Sequence, residues 1–158
     1  MSETTPPSAT GTVTINASPE AVYALITDLS ALAECAEENV RMKWHRGASA
    51  AQPGAVFTGH NRSGWHRWST ACTVTDAEPG RLFAFDVRLM VIPVARWAYQ
   101  ISAADGGCQV TESTWDRRPS WFLGIAKLST GVKDRVTTNT EHIRLTLDRL
   151  KQCAEKTV

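Results

Sequence analysis

The stretch GTVTINASPEAVYALITDL, Gly11 to Leu29, changes its period halfway along. Up to Ser18 apolar and polar residues alternate, with Val13 and Ile15 on one face, which reads as a strand. From Ser18 the pattern is helical. Ser18 offers an N-cap hydroxyl, Pro19 suits the first helical position, and Glu20 sits in the first turn. Val22, Leu25, Ile26 and Leu29 then form one apolar stripe, and a second short helical piece is expected over Ser30 to Ala36.

Downstream, to about Asp116, the period returns to two. Val40, Met42 and Trp44 alternate with Arg41, Lys43 and His45. GAVFTGHN, WHRWSTACTVTDA, RLFAFDVRL, PVARWAYQI and CQVTESTWD follow, separated by turn signals such as EPG and ADGG. These are the strands of an antiparallel meander. RRPSWFLGIAKLSTG, residues 117–131, is apolar but broken by Pro119, Gly124 and Gly131, and reads as a loop or a short helix. From Val132 to about Glu155 a long helix is expected, with Val136, Thr140, Ile143, Leu147, Leu150 and Ala154 as the stripe that covers the sheet. The fold class is therefore α+β: a curved antiparallel sheet of about seven strands wrapped around a long C-terminal helix, with two short helices after the first strand. Such a helix-grip arrangement tends to leave a cavity between the concave face and the helix.

The bulk numbers exclude more than they assert. A chain of 158 residues is expected to form one domain, here residues 11–156 after a disordered tail over 1–10. A net charge of +1 gives no field for polyanions, so no nucleic-acid partner is expected. Cys35, Cys72, Cys108 and Cys153 contain no C-x-x-C pair, which argues against a zinc knuckle or a redox motif. MSETTPPSAT lacks the basic and apolar regions of a signal peptide, and no apolar run reaches membrane-spanning length. The expectation is a cytoplasmic monomer or homodimer with no cofactor.

ASPEAVYALITDL (17–29), GAVFTGHNRSGWHRWSTACTV (54–74), AEPGRLFAFDV (77–87), PVARWAY (93–99), GGCQVTES (106–113) and TLDRLK (146–151) together resemble the START-like, Bet v 1-like (SRPBCC) superfamily, in particular its bacterial polyketide cyclase/dehydrase branch. The resemblance runs in order over nearly the whole chain and implies the helix-grip fold. It implies no single activity: members cyclise polyketides, carry lipids or quinones, bind hormones or assist chaperones, and no catalytic motif carries over.

HNRSGWHRWSTACTV, residues 60–74, concentrates histidine, arginine and tryptophan in a predicted hairpin that turns at Ser63-Gly64. Alternation sends Trp68, Thr70, Cys72 and Val74 to one face and Arg67, Ser69, Ala71 and Thr73 to the other. Nucleic-acid binding needs aromatics and cations on a shared face, so that reading weakens. His60, His66 and Cys72 lack the spacing of a metal set, and no metal site is assigned. Trp68 and Cys72 are left as either cavity wall or plain core.

The same alternation gives a candidate ligand-binding set. It comprises Phe57 and Asn61, then Trp68, Thr70 and Cys72, then Phe83, Phe85 and Val87. Trp97 and Tyr99, then Val110, Glu112 and Thr114, and finally Asn139 and Ile143 on the long helix complete it. Glu112 and Tyr99 are the candidate catalytic pair, a carboxyl group for general acid or base work and a phenol that donates to a carbonyl or enolate. The alternatives are an arginine partner or a place at the rim for Glu112, and a backbone partner for Tyr99. Arg117 and Arg118 are candidates for gripping an acidic ligand at the entrance. Three functions follow: a binder of a hydrophobic or polycyclic molecule (lipid, quinone or polyketide-like), a polyketide aromatase/cyclase or dehydratase, or a protein-interaction module with a filled core.

Overall fold

Two side-chain caps set the chain's course after its first strand. Strand β1 (Ala9–Ile15) ends, and the Ser18 hydroxyl accepts from the Ala21 N–H at 3.1 Å to open helix α1 (Pro19–Thr27). Asp28 closes α1 and caps α2 (Leu29–Cys35), accepting from the Ser30 and Ala31 N–H groups at 3.0 and 3.2 Å. The computed structural model describes residues 4–45 and 47–156. Six further strands follow: β2 (Asn39–Trp44), β3 (Val56–Ser63), β4 (His66–Glu78), β5 (Leu82–Leu89), β6 (Ile92–Ala104) and β7 (Gly107–Asp116). A 3-10 turn (Ser120–Phe122), helix α3 (Leu123–Thr130) and helix α4 (Arg135–Lys156) complete the described residues.

The strands form one antiparallel sheet in the order β1-β7-β6-β5-β4-β3-β2, curled into a half-barrel. Since β1 and β2 are the two edges, α1 and α2 cross from one edge to the other, and α4 lies in the opening against β1, β7, α1 and α2. Gly11 permits the close approach of α4 to β1, because a Cβ there would stand 2.7 Å from Ile143 Cγ2. Ile15, Val22, Ile26, Phe83, Val110 and Leu150 are all within 1% of full burial. Each contributes about 1.5–3 kcal/mol by leaving water.

Several sequence expectations change. β1 starts at Ala9, not Gly11, and the Ser8 N–H donates to the Thr114 carbonyl at 2.8 Å. Residues 4–10 of the expected tail therefore include docked chain, since a sheet edge supplies their backbone partners, while residues 1–3 lie outside the described residues. Val40 does not share a face with Met42: a register shift between Asn39 and Arg41 takes it out of alternation and leaves it exposed. The β3–β4 turn falls on Gly64-Trp65, because Ser63 pairs with His66. The 117–131 stretch is helical in part, and α4 begins at Arg135 rather than Val132. In its first turns α4 presents Arg135, Asn139 and His142 to the interior, whereas Val136 and Thr140 of the expected stripe are exposed.

Candidate functional site

Cross-strand register arranges the concave face in rows. Phe83, Tyr99, Glu112 and Gly11 are successive partners across β5, β6, β7 and β1, and they form the floor row. One step along, Val74, Phe85, Trp97 and Thr114 form the next row. Phe57, Cys72, Val87 and Ala95 form the one after it. Above the floor the sheet and the N-terminal half of α4 enclose a cavity of about 150 Å³.

Phe57, Asn61, Trp68, Thr70, Cys72, Phe85, Val87, Trp97, Tyr99, Glu112, Thr114, Asn139 and Ile143 line this cavity. Phe83 and Val110 do not, and this corrects their assignment to it. Both point inward and are fully buried, but Val110 lies one row below the floor and Phe83 lies in it, on a strand that α1 covers. Alternation fixes the face of a residue, not its depth along the barrel.

The apolar wall is built from edge-on aromatic contacts, with Phe57 to Phe85 at 5.1 Å and Trp44 to Phe57 at 5.5 Å between ring centres. A polar patch lies on β2, β3 and β4. Asn61 Nδ2 donates to Thr70 Oγ1 and to the Gly59 carbonyl, each at 3.2 Å. Gly59 leaves this patch open: a Cβ there would be 2.8 Å from Asn39 Oδ1 and 3.3 Å from Thr70 Oγ1. Thr114 donates to the Arg96 carbonyl at 3.0 Å.

At the floor, the Tyr99 hydroxyl donates to Glu112 Oε1 at 2.8 Å, so the partner of the carboxyl is a phenol and not an arginine. Glu112 Oε2 is buried without a hydrogen-bond partner among the described residues. Burial pushes the Glu112 carboxyl up to about 8, against the opposing pull of the Tyr99 hydrogen bond. Burial first, and then the adjacent Glu112, raises Tyr99 well above the usual phenol range. At neutral pH the pair is a carboxylic acid beside a phenol, both uncharged.

The mouth lies where α3 crosses the opening. Phe122, Ala126 and Thr130, four residues apart, turn toward the cavity, while Trp121, Ile125 and Leu128 face out. Arg135 Nη1 donates to both Glu38 oxygens, at 2.8 and 2.9 Å, and Arg135 Nη2 donates to Thr130 Oγ1 at 3.0 Å. This joins the α2–β2 connection to α3 and α4. Arg118 lines the cavity and pairs with Asp116, Nε to Oδ1 at 2.9 Å. Arg117 is exposed and off the cavity wall.

Glu38, Arg135 and His142 were not singled out from the sequence, where 97 residues separate Arg135 from Glu38. The available signal was helical spacing, since Arg135 stands four residues before Asn139. The hairpin over residues 60–74 keeps Arg67 and Ser69 outside, where His60 Nδ1 and Ser69 Oγ are 2.9 Å apart, whereas His66, in phase with Trp68, lies against Gly131 at the end of α3. No group of three or more His, Cys, Asp or Glu side chains suited to a metal occurs among the described residues. No described helix is long and apolar enough to cross a membrane.

Solved structures share this fold at low identity. A protein from Chromobacterium violaceum is 13% identical with a TM-score of 0.70, covering 92% of this chain and 95% of its own. The di-domain ARO/CYC StfQ from the steffimycin biosynthetic pathway is 11% identical with a TM-score of 0.72, and the match covers 94% of this chain and 50% of StfQ. The Aha1 dimer from Colwellia psychrerythraea is 17% identical with a TM-score of 0.61, over 93% and 95% of the two chains. No curated protein matches by sequence. The family described as polyketide cyclase/dehydrase and lipid transport matches residues 6–155. A match over almost the full length makes the chain a member of the polyketide cyclase/dehydrase and lipid transport family.

Proposed function

We propose that the chain binds a hydrophobic or polycyclic small molecule, such as a lipid, a quinone or a polyketide-like compound, in the cavity between the sheet and α4. The observation that carries this reading is an interior left unfilled, at about 150 Å³, behind a wall of Phe57, Phe85, Trp68 and Trp97. Buried aromatic and aliphatic walls with a few placed polar groups are what such ligands require. The space left in the interior weighs against the interaction-module reading, which expects a filled core. The protein acts in this reading as a cytoplasmic monomer or homodimer. Native mass spectrometry of the purified protein, followed by denaturation and identification of what is released, tests it. A retained apolar molecule supports the proposal. An empty protein that also takes up no added bicyclic hydrocarbon contradicts it.

A second reading, a polyketide aromatase/cyclase or dehydratase, is favoured by the Tyr99–Glu112 pair at the floor of the cavity. A neutral carboxylic acid can protonate a departing hydroxyl or a developing enolate while the cavity holds a flexible chain folded for reaction. Glu112→Gln with unchanged turnover of a poly-β-keto substrate would remove the acid from that role.

A further inference from the structure

We propose that Glu112, as a neutral carboxylic acid, is the hydrogen-bond donor that recognises a carbonyl oxygen on the ligand. The inference rests on the cavity being a ligand site and names the chemical class of what enters it.

Tyr99 gives its only proton to Glu112 Oε1 at 2.8 Å, so that oxygen is satisfied as an acceptor. The acid's own proton then belongs on Oε2, which is buried and unpartnered among the described residues, in a side chain on the cavity wall. A buried polar group without a partner is costly, so an acceptor that reaches it gains more than an ordinary surface hydrogen bond would. The complement of an O–H donor in an aromatic-walled cavity is a ketone, quinone, ester or amide oxygen on a flat apolar body.

The surroundings keep the acid neutral. Tyr99 on β6 bonds to the acid, the Cys35 thiol on α2 lies beyond Tyr99, and Cys72 on β4 and His142 on α4 line the same cavity. The charged groups on the wall sit at the mouth and are engaged: Asp116 with Arg118, Glu38 with Arg135 and near His142, and Glu37 with Arg149. No cation is bonded to Glu112 among the described residues.

The test compares 1-tetralone with tetralin, bicyclic molecules that differ by one carbonyl and do not alkylate thiols. Their dissociation constants are measured by calorimetry on the wild-type protein at pH 6 and pH 9.5, and on Glu112→Gln and Glu112→Leu at pH 6. The readout is the preference, Kd of tetralin divided by Kd of tetralone. At pH 6 it should be about five- to tenfold larger in wild type than in Glu112→Leu, the worth of one buried hydrogen bond. Glu112→Gln should keep most of it, since its amide can accept from Tyr99 and donate to the ketone. In wild type the preference should fall at pH 9.5, where an ionised carboxylate repels a carbonyl oxygen. A preference that is the same in all four cases, with both probes bound, overturns the donor assignment and leaves the binding cavity standing. Failure of wild type to bind either probe overturns both. If Glu112→Leu does not fold, the pH comparison on wild type decides.

Discussion

The two halves of α4 cover the same sheet with opposite chemistry. Its C-terminal half buries Leu147, Leu150 and Ala154 beside Ile15, Val22, Ile26 and Val110, and no cavity wall is built from these residues. Its N-terminal half presents Arg135, Asn139 and His142 above Glu112, Asn61 and Trp68, and there the interior stays open. The sealed half supplies the burial that holds the fold, which frees the open half to carry unpaired and polar groups. In the proposed reading, stability and recognition are thus separated along one helix.

The comparison breaks first at the sealed end. Leu150→Ala should lower unfolding free energy by about 2–5 kcal/mol, because a buried methyl group cluster is removed from a closed core. Trp68→Ala, at the half-buried wall of the open end, should cost less stability and weaken uptake of an apolar probe more than tenfold. Denaturant unfolding and probe titration of both variants check the contrast. Equal stability losses with equal binding losses would erase the division.

The second effect is on pH. Glu112 has a folded pKa of about 8 against an ordinary 4.5, so the folded chain holds a proton that the unfolded chain has released. The favourable contribution is complete below pH 4.5 and is lost as pH rises to about 8. The expected slope is about 1.4 kcal/mol per pH unit inside that window. Glu112→Gln should remove this slope, so the wild-type and variant stability curves should converge toward low pH and separate toward pH 8. Parallel curves would mean the carboxyl is not buried as described.

A smaller effect concerns the mouth. Arg135→Ala removes the clasp by which α4 holds Glu38, on the α2–β2 connection, and Thr130, on α3, at the opening. A partly exposed pair of this kind is worth about 1 kcal/mol. Dissociation of a bound probe should therefore speed up severalfold in stopped-flow measurements while the melting temperature changes little. An unchanged off-rate would place ligand passage elsewhere.

How much of this was legible in the sequence differs along the same division. Trp68, Thr70, Tyr99 and Glu112 lie in stretches of β4, β6 and β7 clear of the register shifts beside Val74 and Val87, and there a period of two places them on the concave face. Val40 escaped, since the shift beside Asn39 is a one-residue event that leaves no mark in composition. Phe83 and Val110 had the right face and the wrong depth, because depth depends on where α1 and α4 rest, a long-range packing outcome. The start of α4 differs from its sequence pattern for a related reason. Val136 and Thr140 complete an apolar spacing on paper, yet α4 rolls so that Arg135 meets Glu38, a partner 97 residues away. The role of α3 and the turn before it is obscured because apolar residues fall on both faces, Phe122 and Ala126 inward, Ile125 and Leu128 outward.

The most direct test of an open half beside a sealed half is a methyl NMR titration with tetralin, using labelled isoleucine, leucine and valine. The account predicts saturable shifts at Leu32, Val87 and Ile143, which line the cavity, and stationary signals at Val22, Val110 and Leu150. Saturable shifts spread evenly over both sets, or none at Leu32, Val87 and Ile143, would contradict it.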